Sequence, residues 1–109
     1  MKTVTAAIIC KSSKVLITRR GSGEKLAGLW EFPGGKVEGD ETLAECLIRE
    51  LREELGIEAS IGQVVAESIY EYDHGSIRLV AMEAHIVSGS PALTVHDRAE
   101  WAGVNEFSE

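Results

Sequence analysis

Cysteine is scarce in this chain: only Cys10 and Cys46 occur in 109 residues. Two cysteines so far apart make neither a CxxC metal motif nor a dense disulfide scaffold. Both stand among apolar neighbours and are expected to be buried thiols. Long hydrophobic runs are missing too. No stretch approaches the roughly 20 apolar residues of a membrane span. The start, Met1 to Cys10, lacks the long apolar region and small-residue cleavage site of a signal peptide. A cytoplasmic protein that stays off the membrane is expected. Positive charge is in deficit, with a formal net charge of −7, which argues against binding the backbone of a nucleic-acid polymer. Internal repeats, low-complexity tracts and linkers are also absent. The length suits one domain spanning residues 1–109 and a single core.

The charge is unevenly spread. Residues 38–58 carry eight acids against two bases, whereas residues 2–36 carry seven bases against two acids. A basic half beside a strongly acidic segment fits an anion held next to a cation, and equally fits solvated surface. Charge counts alone do not separate the two.

Patterning predicts several strands around one strong helix. Val4–Cys10 is an apolar, β-branched run, and Lys11–Lys14 is a turn. Val15–Thr18 returns as the second strand of a hairpin. Trp30–Phe32 alternates and reads as a short strand, broken by Pro33-Gly34-Gly35. Ile61–Ile69, Ile77–Val87 and Ala99–Val104 follow as strands, the first two joined by a turn at Asp73–Ser76. Thr42–Leu55 is the helix. Thr42 and Glu45 have capping-box spacing, and Gly56 suits the position just past the end. Leu43, Leu47, Leu51 and Leu55 recur every four residues and make one apolar stripe. The expected class is a mixed α/β (α+β) domain.

The segment ELREELG, Glu50–Gly56, packs three acids into one helical turn and a half. Like charges three and four apart repel. At 100° per residue, with Leu43 as zero, Glu50 and Glu54 fall at about −20° and +20°, straddling the edge of the apolar face. Carboxylates placed there need partners. Arg49 is spaced to pair with Glu53, but one arginine does not neutralise three glutamates. A divalent cation would, and carboxylate oxygens without nearby histidine or cysteine suit Mg²⁺, or Mn²⁺, better than zinc. The preceding Phe32-Pro33-Gly34-Gly35-Lys36 lets backbone approach a ligand closely. It is not a P-loop, because GxxxxGK[ST] is missing.

Gly35 to Ile57, GKVEGDETLAECLIRELREELGI, matches every fixed position of the pattern G-x5-E-x7-R-E-U-x-E-E-x-G-U, where U is apolar. Chance agreement is on the order of 10⁻⁹ per start site at ordinary residue usage. The segment resembles the Nudix box. Its flanks, Arg19-Arg20 and Leu29–Lys36, are similar to the MutT-type branch of nucleoside triphosphate pyrophosphohydrolases and to the CTP pyrophosphohydrolase-like bacterial members.

The resemblance implies a mixed β-sheet sandwiched between helices. Relatives continue with a C-terminal helix after the last strand, and this chain is expected to lack it. The resemblance also implies Mg²⁺-dependent hydrolysis of a small-molecule nucleotide by a monomer or homodimer. Glu50, Glu53 and Glu54 carry over as metal ligands, joined by the Gly34 carbonyl. Arg49 carries over as the residue positioning them, Glu41 as a supporting acid, and Glu50 or Glu53 as the base. Arg20, Arg19 and Lys36 are candidates to hold phosphate oxygens, and Arg20 reads equally as an exposed strand end. Phe32, Tyr70, Tyr72 and Trp101 are either base-stacking or structural aromatics. Where relatives place a loop glutamate before a Trp like Trp101, the aligned residue is Val95, with His96 and Asp97 adjacent. A nucleoside triphosphate is the expected substrate, as an oxidised purine such as 8-oxo-dGTP or a pyrimidine. The alternatives are a dinucleotide polyphosphate, ADP-ribose or nucleotide sugar, a non-catalytic nucleotide sensor, or a plain acidic structural domain.

Overall fold

The computed structural model describes residues 1–21, 23, 28–91 and 96–103, with the side chains of 96 and 97 outside that description. Strands β1 (Lys2–Lys11), β2 (Lys14–Arg20), β3 (Trp30–Glu31) and β4 (Gly34–Lys36) precede helix α1 (Leu43–Leu55); β5 (Glu58–Tyr72), β6 (Gly75–Ser88) and β7 (His96–Gly103) follow it. The sheet runs β3-β2-β1-β6-β5, with β4 on β1 and β7 on β2. It is mixed. β1 and β6 are parallel, while the other pairs are antiparallel. Among the described residues one helix packs on this sheet; a second covering helix is not among them.

Local signals place the turns. Ser12 and Ser13 both take positive φ, 52° and 65°. That conformation gives a two-residue turn the twist a hairpin needs, and Lys11 pairs with Lys14. The second hairpin closes at Asp73-His74, with Tyr72 opposite Gly75.

The core lies between α1 and one face of the sheet. In the β1–β6 register Ala7 stands opposite Met82 and Ile9 opposite Ala84. Residues directly opposite share a face, and these four join Leu47, Leu51 and Leu55 of α1 in the buried cluster. Thr42 and Glu45 make both capping-box bonds, and Gly56 closes the helix at φ 66° with its N–H on the Arg52 carbonyl. Capped ends fix which residues form the last turns.

Four expectations are corrected or extended. Pro33-Gly34-Gly35 breaks β3 as expected but also opens a new strand, because Gly34–Lys36 pairs with Ala6–Val4 of β1. The glycines are what permit this: a Cβ on Gly34 would stand 2.1 Å from the Thr5 carbonyl oxygen. Phe32 is not in a strand, since β3 stops at Glu31. The strand expected at Ile61–Ile69 extends over Glu58–Tyr72, because it pairs with β6 along that length with register shifts that absorb its irregularities. Cys10 is exposed and only Cys46 is buried. Side chains alternate along a strand, so Cys10 points to the face opposite the one on which Ile9 meets the core.

Thr42→Ala is expected to lower unfolding free energy by about 1 kcal/mol, the usual worth of an N-cap. Urea denaturation checks it, and an unchanged midpoint would mean the capping box contributes nothing here.

Candidate active site

The site begins with two glycines. A Cβ on Gly35 would fall 2.3 Å from Cδ of Glu50, so the Glu50 carboxylate rests directly on a residue that has no side chain. Glu54 sits one helical turn further on, where its Oε1 accepts the Gly34 N–H at 3.3 Å. β4 is held in place by β1, and α1 packs across both. The helix thus delivers two carboxylates to the glycine backbone.

Arg49 organises the acids. Its Nε and Nη2 donate to the two oxygens of Glu41 at 2.6 and 3.0 Å. Its Nη1 donates to Glu50 at 2.8 Å and to Glu53 at 3.1 Å. Its Nη2 also donates to the Lys36 carbonyl at 3.1 Å. The planar fork thus ties the loop before the helix, the helix and β4 together. The side chains of Glu50 and Glu41 are mostly buried, while that of Glu53 is 60% exposed.

The electrostatics divide the acids. Arg49, then the Glu38 N–H, lowers the Glu41 pKa to about 2. Glu50 is raised, because burial outweighs the pull of Arg49. Glu54 is raised to about 7, by burial first and then by the Glu50 charge, with the Gly34 N–H opposing. The Glu50 charge thus makes ionisation of Glu54 harder, and a cation relieves that condition.

Arg20 donates from Nε to Glu31 at 3.2 Å. Its charge also acts on Glu54, so β2 brings a guanidinium towards the acids. Lys36 ends β4 with an exposed side chain, and its carbonyl serves Arg49. Phe32 is half-buried between β3 and β4. Tyr70 and Tyr72 are exposed on β5, whereas Trp101 packs against the core and carries Lys11 over its ring at 5.9 Å. The Val95 position lies outside the described residues, as do the side chains of His96 and Asp97. Arg52 and Glu45 point away from the site, and Arg52 pairs with Glu58.

Among the described residues no three acidic, histidine or cysteine side chains close into a ready-made metal cage. Glu50 and Glu53 turn to Arg49, and Glu54 turns to Gly34. Sequence reasoning also missed three contributors: Glu31, which pairs with Arg20; Glu38, 3.9 Å from Arg49; and Thr5, bonded to Gly35. Only the acidic side chains of Glu31 and Glu38 marked them. Thr5 sat inside an apolar run with no signal at all.

The NUDIX domain family model matches residues 1–108. The chain belongs to the Nudix family and is a Nudix hydrolase. It is 42% identical over 106 residues to the CTP pyrophosphohydrolase of Escherichia coli K12, covering 97% of this chain and 78% of that protein. It is 36% identical over 109 residues to a putative 8-oxo-dGTP diphosphatase 2 of Mycobacterium tuberculosis H37Rv, covering 97% and 76%. The solution structure of the E. coli ORF135 protein superposes with a TM-score of 0.84 at 42% identity, over 97% of this chain and 76% of that one. The MutT protein of Methanosarcina mazei Go1 gives 0.84 at 27% identity, over 96% and 78%. No helix among the described residues is long and apolar enough to cross a membrane.

Two carboxyls give the metal-free protein opposite pH responses. The folded chain keeps a proton on Glu54 that the unfolded chain releases between about 4.5 and 7. Stability contributed there falls as pH rises through that window. Glu41 works the other way: its contribution is complete above about 4.5 and is lost as pH falls towards 2. Denaturation in chelator across pH should show Glu54→Gln flattening the upper decline and Glu41→Gln reducing the acid slope. An unaltered upper slope in Glu54→Gln would exclude Glu54 as the group responsible.

Proposed function

We propose that this chain hydrolyses a nucleoside triphosphate to the monophosphate and pyrophosphate with Mg²⁺, for which Mn²⁺ substitutes. The observation that carries the reading is the pair of carboxylates, Glu50 and Glu54, seated on Gly34-Gly35 beside the Arg49 fork. The donor chemistry fits a hard divalent cation, since every candidate ligand is oxygen: Glu50, Glu53, Glu54 and the Gly34 carbonyl. When bound, the cation neutralises pyrophosphate charge and favours attack by water.

The chain's own groups do the rest. Arg49 keeps Glu50 and Glu53 oriented, and Glu41 keeps Arg49 oriented. Arg20 and Lys36 supply positive charge for phosphate oxygens, Arg20 by exchanging Glu31 for phosphate. Water attacks phosphorus, the anhydride P–O bond breaks, and the proton passes to a carboxylate. Glu53 is favoured over Glu50 for that role, because it is the more exposed and keeps access to solvent. Phe32, half-buried beside Pro33, is assigned to the nucleoside as an aromatic that stacks on a base.

The names of the relatives point to CTP and to 8-oxo-dGTP as the first substrates to try. The fold is also shared with enzymes of other pyrophosphates at low identity, so dinucleotide polyphosphates, ADP-ribose and nucleotide sugars belong in the same panel. All the glutamates of the box are present, which disfavours a purely binding role.

The test is a Mg²⁺-dependent hydrolysis panel with product identification. We expect one triphosphate to yield monophosphate and pyrophosphate, and chelator to abolish turnover. Glu53→Gln is expected to lose roughly 100-fold or more in kcat while unfolding as the parent does. Turnover unaffected in that variant would remove Glu53 from the site, and a silent panel would overturn the triphosphate reading.

A further inference from the structure

The described residues bury two polar side chains, Thr5 at 1% exposure and Thr18 at 0%. Their partners fall on the two ends of one short loop. Thr18 Oγ1 donates to the Glu31 carbonyl at 3.3 Å, and Thr5 Oγ1 donates to the Gly35 carbonyl at 3.1 Å. Each threonine stands directly across the ladder from the residue it holds, Thr18 opposite Glu31 and Thr5 opposite Gly35. Between these fixed points lie Phe32, Pro33 and Gly34.

The two ends serve different chemistry. At the Gly35 end the backbone seats the Glu50 carboxylate, and the neighbouring Gly34 N–H holds Glu54. At the Glu31 end the side chain engages Arg20. The buried Cys46 thiol supports the first clasp, lying 3.4 Å from Thr5 Oγ1 and 3.6 Å from the Gly35 carbonyl, but sulfur is a weak hydrogen-bond donor. Valine would satisfy the packing at either site with nearly the same shape. A hydroxyl buried at both ends of the loop needs another reason, and holding a carbonyl in a fixed direction is one.

We propose that Thr5 and Thr18 are positioning residues forming a two-point clamp on loop 31–35, with separable effects. Thr5 sets the cation side of the site by fixing the glycine seat of Glu50 and Glu54. Thr18 sets the phosphate side by fixing Glu31 and, through it, Arg20. This inference rests on the reading of the acids as a cation site for a triphosphate.

The experiment compares wild type, Thr5→Val, Thr5→Ser, Thr18→Val and Thr18→Ser. Thermal denaturation confirms folding. Hydrogen exchange of the Gly34 and Gly35 amides is measured in metal-free protein, Mn²⁺ affinity by electron paramagnetic resonance, and kcat and KM with the triphosphate that the panel identifies. Thr5→Val is expected to speed exchange at Gly34 and Gly35 and to weaken Mn²⁺ binding by roughly tenfold, the lower end for groups supporting metal ligands. Thr18→Val is expected to leave Mn²⁺ affinity within about threefold while raising KM roughly tenfold with kcat retained, as loss of ground-state binding does. The serine variants, which keep the hydroxyl, should restore both.

The clamp is overturned if the valine variants match wild type in exchange, Mn²⁺ affinity and KM. It is also overturned if both shift all of these together in proportion to lost stability. If wild type neither binds Mn²⁺ nor hydrolyses a triphosphate, the proposed function fails. Exchange at Gly34 and Gly35 then still reports whether Thr5 holds the loop.

Discussion

The contact between the Glu50 carboxylate and Gly35 is the constraint on which the rest of the site depends. A carboxylate pressed against backbone demands a residue without Cβ, and Gly35 meets that demand. The same approach requires β4 to lie tightly on β1, which Gly34 allows by leaving room for the Thr5 carbonyl. It also requires α1 to be anchored at both ends, because a slip of one residue would rotate Glu50 by about 100° away from the glycines. The capping box and the left-handed Gly56 hold that register. Sequence features that look independent, a cap, a glycine pair and an acidic helix, are parts of one geometric requirement.

Arg49 makes the arrangement tolerable electrostatically. Three glutamates in the last two turns oppose one another and the partial negative charge of the helix C-terminus. Arg49 reaches Glu41, Glu50 and Glu53 at once, yet Glu54 still has its pKa raised to about 7. The arginine relieves part of the repulsion and leaves the remainder at the partly buried pair next to Gly34. That residue of unfavourable charge is what makes the proposed cation site attractive to a divalent ion. Glu41 illustrates the division of labour: its depressed pKa keeps it ionised, so Arg49 stays fixed whether or not a cation is present.

Much of this was legible before any coordinates. The helix, its caps, the apolar stripe and the Arg49–Glu53 pair follow from spacing along one element, because 100° per residue fixes what shares a face. Glu50 and Glu54 could be placed at the buried edge for the same reason. β4 was not legible, since a glycine pair reads as a break until another strand lies close enough to use it. Cys10 was misread because its apolar neighbours reported burial of the strand without reporting which of its two faces the helix covers.

By itself, then, the sequence determined the family, the helix with its register, and which acids lie on which side of it, because those are periodic or contiguous properties of the chain. The tertiary structure alone decided that Arg49 serves Glu41 and Glu50 as well as Glu53, that Glu31 stands on Arg20, and that Thr5 and Thr18 hold the two ends of loop 31–35. Those contacts join residues up to 30 positions apart. A hydroxyl in an apolar run shows nothing of its partner until a strand from elsewhere in the chain sets a carbonyl across from it.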